Sequence, residues 1–416
     1  MKFTKYRLGE LGRIVTGKTP NTSNPALWNG DVQFVTPEEL QHGKNILQTE
    51  RHLTQQGVKS IRGAFIPAES VCVSCIGNIG YVAKTIYPCV TNQQINTIIP
   101  SGAHSSDFLY YKLKSIWHYF KLREGNATTI PILSKSDFAN IAIHLPDQPT
   151  QLRIAGILGS LDEKIELNRK KIAELEALAK TIYDYWFVQF DFPDKNGKPY
   201  KSSGGKMVWN EQLKREVPEG WEVKPLEKAC KRIQSGGTPE SNNETFYSGD
   251  IPWFTTQELI DSWVFCSNRS ITKSALENSA AKLFPPDTVL LAIYAAPTVG
   301  RLAILAKESA FNQACCGFVV GDDISKEYLF LFLYENRNKL NSIADGTAQK
   351  NLSVGKMRMF DVLIPTGEIM TLWRNIAEPL FDAIRTDSET AHILSRQRDA
   401  LLPLLMNEQV SVGELK

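Results

Sequence analysis

The stretch Gly12-Arg13-Ile14-Val15-Thr16-Gly17-Lys18-Thr19 matches the G-x-x-x-x-G-K-[ST] pattern of a phosphate-binding loop. That chemistry needs a helix starting at the lysine, so that its N-terminal N–H groups and dipole face the phosphates. Here Lys18-Thr19 runs into Pro20-Asn21-Thr22-Ser23-Asn24-Pro25, which cannot continue as an amphipathic helix. The stretch reads instead as a Gly-containing turn at a strand end. Cys72-Val73-Ser74-Cys75 is a C-x-x-C. In a strand, residues three apart point to opposite faces, so the two sulfurs diverge. No second C-x-x-C exists and Cys315-Cys316 has no flanking histidine, so buried thiols are a simpler reading than zinc or redox chemistry. His42, His52, His104, His118, His144 and His392 form no H-x-x-x-H pair. There is no G-x-S-x-G elbow and no G-x-G-x-x-G fingerprint. Asp322-Asp323 are adjacent rather than convergent, as in a solvated turn. No catalytic residue and no metal site is assigned.

The strongest signal is a duplication. Arg13-Ile14 answers Arg232-Ile233, Gly17 answers Gly236, and Thr19-Pro20 answers Thr238-Pro239. Asn24, Gly30-Asp31, Thr36 and Glu39-Leu40 recur at Asn243, Gly249-Asp250, Thr255 and Glu258-Leu259, all at a spacing of 219 residues. Trp28/Tyr247, Val32/Ile251 and Phe34/Trp253 are conservative pairs in the same register. Further on, Asn92-Gln93 answers Asn312-Gln313, Leu133-Ser134 answers Leu352-Ser353, and Pro146 answers Pro365. So long a period marks a duplicated domain rather than a solenoid unit.

Each copy ends in a helical pattern. In the first, Ile154, Leu158, Leu161, Ile165, Ile172, Leu175, Ala179 and Ile182 alternate steps of four and three, with Asn168 filling the missing slot. This is a heptad seam. The second copy places Trp373, Ala377, Leu380, Ile384, Ala391, Leu394, Leu401 and Leu405 in the same slots, with Asp387 where Asn168 stood and Arg398 replacing Ala179. Two long helices with one apolar stripe each should pair with one another, and polar seam residues should fix their register. Pro379 is expected to kink the second helix or delay its start. The rest of each copy reads as mixed α and β, with strands at Val71–Cys75 and Val289–Ile293. One internal helix is expected per copy, on Leu109, Leu113, Ile116 and Phe120 and from about Glu327 to Ile343. Asp191–Pro199 and Ser202–Gly205 read as linker by composition.

The chain has 416 residues, 42 % of them hydrophobic and 22 % charged, an ordinary globular balance. It holds no run of about 18 apolar residues, so no membrane helix is expected. Met1–Arg7 leads into no apolar signal core, so the expected location is cytoplasmic, with seven reduced cysteines. The net charge of +2 excludes a nonspecific nucleic-acid coat but not a local basic groove.

Two similar domains on paired helices make a pseudo-twofold object, suited to a target with two-fold character such as duplex DNA. Copies that differ in their polar loops would read different half-sites. The helices would act as a ruler, four residues spanning about 6 Å, close to two base-pair steps of about 3.4 Å.

With these residues in view, the chain resembles the specificity subunit of type I restriction–modification systems over nearly its whole length. The resemblance rests on Thr16–Pro20 and Ser235–Pro239, on Asn29–Leu40 and Ser248–Trp253, and on Gly77-Asn78-Ile79-Gly80 before Asn92-Gln93-Gln94. It also rests on Gly346–Ser353, on Gln151–Ala155, on Leu401–Leu405, and on Phe190–Asp194 with Asn196–Tyr200 and Gly220-Trp221. Copy one departs from it with Gly125–Pro131, where copy two has the more usual Gly-Thr-Ala-Gln-Lys.

The resemblance implies an α+β fold of two similar target recognition domains separated by two long, antiparallel, coiled-coil helices. The expected boundaries are 1–147 for recognition domain 1, 148–190 for the central helix, 191–222 for a linker, 223–366 for recognition domain 2, 367–406 for the C-terminal helix and 407–416 for a tail. It further implies that each domain reads half of a bipartite site on double-stranded DNA. Two methyltransferase and two restriction subunits would dock on the chain and supply adenine methylation, translocation and cleavage with S-adenosylmethionine, ATP and Mg. The chain itself would hold no cofactor and catalyse nothing. Phosphate and base contacts need Lys, Arg, amides and hydroxyls in loops. The DNA-contact candidates are Lys18, Thr19, Thr36, Asn78, Gln93, Gln94, Thr128 and Lys135 in copy one. In copy two they are Thr238, Thr255, Gln257, Tyr294, Arg301, Gln313, Gln349 and Lys350. Features shared by both copies cannot encode different sequences, so Thr19/Thr238 and Gln93/Gln313 fit loop capping as well as DNA contact. The helix-pairing set is Ile154, Leu158, Leu161, Ile165, Asn168, Ile172, Leu175, Ile182, Leu380, Ile384, Asp387, Leu394 and Leu401. Two other readings remain open here: an assembly scaffold that ignores DNA, and a nucleotide-binding protein built on Gly12–Thr19.

Overall fold

The computed structural model describes residues 3–116, 120, 131–294, 298–344, 351–407 and 409. They form two compact units, one of residues 1–166 with 392–416 and one of residues 167–391.

The first unit is built on a five-stranded sheet, in the order Gly12–Thr16, Ile95–Pro100, Val71–Ser74, Val82–Thr85, Asn45–Ile46. A four-stranded sheet runs Arg51–Leu53, Trp28–Val35, Cys89–Thr91, Phe65–Ile66, and Thr4–Arg7 pairs antiparallel with Ala142–Leu145. The second unit repeats this order with Cys230–Ser235, Cys315–Val320, Val289–Ala292, Leu302–Leu305 and Ser262–Val264. Its smaller sheet is Arg269–Ile271, Ile251–Phe254, Ala310–Phe311, and Glu222–Pro225 pairs with Asp361–Ile364. The fourth strand of that smaller sheet shrinks to one bridge, Phe284 to Ser309. The duplication read in the sequence is thus a duplication of strand order.

The central strands are buried on both faces, which is why they read as continuous apolar runs. Cys72 packs with Val15 and Val35, whereas Cys75 packs with Val71 and Val73 on the other side. The two sulfurs do diverge, and burial pushes both thiols up to about 12. No helix starts at Lys18; the first helical turn after it is Pro25–Leu27.

The internal helices are Ser106–Ser115, capped by Ser105, and Lys326–Glu335, capped by Ser325. The second was expected to run on to Ile343. It breaks at Asn336, whose side chain donates to the Phe332 carbonyl, and resumes as Arg337–Ile343.

The segment 191–222, expected as a linker, is folded onto the second unit. Phe192 stacks between Tyr200 (4.6 Å) and Trp221 (5.2 Å), and Met207–Asn210 forms a hairpin with Arg215–Pro218. The Asp191 carboxylate accepts from the Ser202 amide (2.7 Å) and hydroxyl (2.6 Å). Its turn-rich composition hid the aromatic residues that fix it.

The long helices are Gln148–Tyr183 and Gly367–Met406. Pro379 interrupts neither the start nor the run of the second. Pro379 and Asn375, whose carbonyl loses its donor, both face solvent, so water can satisfy that carbonyl. Within the first unit, Ile154 and Leu158 share a core with Leu402, Leu405 and Met406, with Leu401 against it. Asp162 meets Arg398 there at 2.7 Å, so this stretch of the pair is antiparallel. Ile165 is buried, while Leu161 and Leu394 are half-buried. Within the second unit Lys171 meets Asp387 at 2.8 Å and Tyr183 meets Trp373 at 6.0 Å, again antiparallel. Ile384 is buried there, with Ile172, Leu175, Ile182 and Leu380 packed at the core's edge. Asn168 is buried, and its amide nitrogen has no hydrogen-bond partner among the described residues. Tyr183, Trp186, Phe187, Tyr328 and Trp373 form an aromatic cluster that seats the second domain on its helices.

The first domain packs Phe108, Leu109 and Tyr111 into the same apolar core as Ile154, Leu158 and Leu402, and a charged cluster lies beside it. Asp107 pairs with Lys44 (2.7 Å) and Lys84 (2.9 Å), and Lys44 lies 4.9 Å above the Tyr111 ring. The Tyr111 hydroxyl donates to Asp162 at 2.5 Å, beside Arg398. Burial alone would raise the Asp107 pKa, but its hydrogen bonds to the two ammonium groups outweigh this and hold it below the ordinary value.

Candidate nucleic-acid interface

Three turns meet at one end of each domain. In the first, Gly17 donates to the Ile95 carbonyl (3.1 Å), Lys18 to Thr91 (2.8 Å), and Asn92 to Val35 (2.9 Å). These bonds bind the ends of strands Gly12–Thr16, Cys89–Thr91 and Trp28–Val35 into one frame. In the second, Gly236 donates to Cys315 (3.1 Å), Gly237 to Phe311 (2.9 Å), and Asn312 to Phe254 (2.9 Å). The repeated glycine is needed for close approach: a Cβ on Gly17 would sit 2.1 Å from the Asn92 carbonyl oxygen, and one on Gly236 2.0 Å from that of Phe311.

Most repeated polar side chains serve this frame. Thr19 donates to Gln93 Oε1 at 2.5 Å, and Thr238 donates to Gln313 Oε1 in the same way. Thr36 donates its amide and hydroxyl to Glu39 at 2.7 and 2.6 Å, and Thr255 does the same to Glu258, both at 2.8 Å. Each carboxylate's other oxygen takes a further amide, from Glu50 (3.3 Å) and Asn268 (2.7 Å) respectively. Gln94, which is not repeated, also leans on the frame: its Oε1 accepts from the Asn92 side-chain amide at 2.9 Å.

Side chains that differ between copies hang from the frame. Lys18 is exposed and its ammonium donates to the Arg62 carbonyl at 3.1 Å; its counterpart is Gly237, closed over by the Ala280 backbone. Asn78, Lys135 and Gln257 are exposed, Tyr294 is 38 % exposed, and Arg301 is half-buried. Thr128, Gln349 and Lys350 lie outside the described residues, as do Gly125–Ala127 and most of the 407–416 tail.

One shared pair of exposed cations escapes the sequence reading. The Arg51 guanidinium lies 3.7 Å over Trp28, and that of Arg269 3.7 Å over Tyr247. The signal was available: the arginines are offset by almost the same interval as their aromatic partners. Among the described residues no helix is long and apolar enough to cross a membrane, and no cluster of three or more His, Cys, Asp or Glu could hold a metal.

The family model of the type I restriction modification DNA specificity domain matches this chain twice, over residues 1–177 and 218–395. The chain belongs to that family. The specificity-domain match thus falls once on each copy of the repeated fold. Among curated relatives, the chain is 28 % identical over 418 residues to the type I restriction enzyme MjaIX specificity subunit of Methanocaldococcus jannaschii, covering 98 % of this chain and 94 % of that protein. It is 25 % identical over 474 residues to the HindI specificity subunit of Haemophilus influenzae, covering 98 % and 99 %. Among solved structures, the type I S subunit from M. genitalium shares the fold at a TM-score of 0.61 and 16 % identity, covering 99 % of this chain and 97 % of that one.

Proposed function

We propose that this chain chooses the DNA sequence on which a type I restriction–modification complex acts, each specificity domain reading one half of an asymmetric, bipartite site. The observation that carries this is the frame built twice with different side chains on it. Identical hydrogen bonds hold Thr36–Glu39 and Thr255–Glu258, yet Lys18, Glu38 and Gln94 in one copy face Gly237, Gln257 and Ala314 in the other. A fixed frame with variable polar side chains suits recognition of two unlike half-sites.

Adenine methylation, ATP-driven translocation and cleavage would belong to two methyltransferase and two restriction subunits, with S-adenosylmethionine, ATP and Mg bound there. Exposed apolar residues on the long helices, such as Leu167 (59 %), Leu178 (47 %) and Ile393 (48 %), supply surface for such docking.

The test is to express the chain with the methyltransferase encoded beside it in a methylation-free host and sequence the DNA for modified adenines. Two short, unlike half-motifs around a fixed unread gap are expected. A continuous motif, or none from a complex that assembles, contradicts the reading.

A further inference from the structure

Features common to both domains cannot specify different bases, but they can hold what every DNA site shares, its phosphates. A cation that is exposed and shared by both domains suits that role. Only a few basic positions recur. Lys5 recurs as Lys224, whose ammonium is held by Glu222 (3.0 Å) and Asp323 (3.3 Å). Arg13 recurs as Arg232, whose guanidinium lies over Phe284 and donates to the Leu283 carbonyl at 2.8 Å. Arg51 recurs as Arg269, both exposed and both without an ion pair among the described residues.

The platform beneath each of the last two is anchored to the same loop. The Trp28 indole N–H donates to the Asn21 carbonyl at 3.1 Å, and the Tyr247 hydroxyl to the Pro239 carbonyl at 2.8 Å. These carbonyls belong to the turns that begin at Thr19-Pro20 and Thr238-Pro239, whose threonines are tied into the frame. Trp became Tyr and the donor atom changed, yet loop, ring and guanidinium keep one arrangement. Stacking holds the guanidinium flat and leaves its in-plane N–H donors open, the geometry that grips a phosphate.

We propose that Arg51 and Arg269 are the equivalent phosphate contacts of the two domains, each fixing its domain's register on the DNA backbone without reading bases. This rests on the DNA-recognition reading above. Three further arginines are engaged internally: Arg398 with Asp162, Arg337 with Asp261, Arg385 with the Ala306 carbonyl.

The experiment uses the complex with its methyltransferase and a duplex carrying its methylated motif, titrated from low to moderate salt. Arg51→Met and Arg269→Met keep an apolar cover on the ring and remove the charge. Each should weaken binding about five- to tenfold. Each should reduce the slope of log K against log salt by about 0.9. The methylated motif should stay unchanged. Arg51→Lys, which restores the charge if the platform itself survives, should regain most of the slope. Unchanged affinity and slope in both Met variants would overturn the proposal, leaving the stack a purely structural staple. A changed motif would overturn it by making the residue a base reader. A wild-type complex without salt-sensitive DNA affinity would instead sink the recognition reading, a separate failure.

Discussion

Removing the Asp162 carboxylate should weaken the hold of the first domain on its helices. Asp162 accepts from Arg398 at 2.7 Å and from the Tyr111 hydroxyl at 2.5 Å, and the two charged side chains are only 14 % and 15 % exposed. Asp162→Ala would leave a guanidinium and a phenol facing a gap. Losing one member of a buried pair costs about 3–5 kcal/mol. Arg398 keeps a second carboxylate, Asp399, at 2.8 Å, which places the cost at the low end, about 3 kcal/mol. For a unit of this size, 1 kcal/mol moves Tm by about 2–4 °C, so the first unit should melt about 6–12 °C lower. The second unit's transition should not move. Replacing both partners, Asp162→Leu with Arg398→Leu, should recover much of the loss, because apolar residues can fill a buried ion-pair site. The assay is calorimetry on the full chain with a double-mutant cycle. A shift below about 2 °C, or single effects that add to within about 0.5 kcal/mol, would refute the reasoning.

Other outcomes follow from named contacts. Trp373→Ala should destabilise the second unit by about 3–5 kcal/mol, read by the same melts, because the ring packs on Tyr183, Trp186 and Phe187. Gly17→Ala should cost the first unit at least about 1–3 kcal/mol, since its Cβ meets two backbone oxygens at 2.1 and 2.2 Å; wild-type melting of that variant would argue against the frame. Asp107 has its pKa depressed in the folded chain, so its contribution is full above the unfolded value of about 3.9 and lost as pH falls through the folded one. Acid melts of Asp107→Asn should therefore show a weaker fall in stability below about pH 4 than wild type. Cys266 is the exposed cysteine, while burial pushes Cys72, Cys75 and Cys230 up to about 12; thiol reagents at pH 8 should label Cys266 first, and fast labelling of Cys72 would contradict the packing.

That the two domains share one fold was legible because the duplication preserved backbone needs, such as Gly17 and Gly236, that no other residue type meets; the strand order itself was not read from the sequence. The long helices were legible because a helix that packs along one side of a partner needs a narrow apolar stripe at heptad spacing, and both stretches carry one. Pro379 misled because its cost depends on whether water can reach the carbonyl left without a donor, and here Asn375 and Pro379 are both exposed. Segment 191–222 misled because composition registers turns, whereas Phe192, Tyr200 and Trp221 find one another only in the fold. At the candidate interface, repetition pointed to residues that hold the loops together. Thr19 and Gln93 satisfy each other, as do Thr36 and Glu39. The arginines on aromatic platforms were traceable only through their nearly equal offsets, because stacking brings together positions more than twenty residues apart.

The central claim is that each domain reads its own half of the site. The measurement that meets it most directly replaces residues 1–147 with the corresponding domain of another family member and leaves the rest unchanged. Adenine methylation is then mapped across the genome of a methylation-free host. The account predicts that one half-motif changes while the other half and the gap between them persist. If both halves change together, or neither does in a complex that still methylates, the division of recognition between the two domains is contradicted.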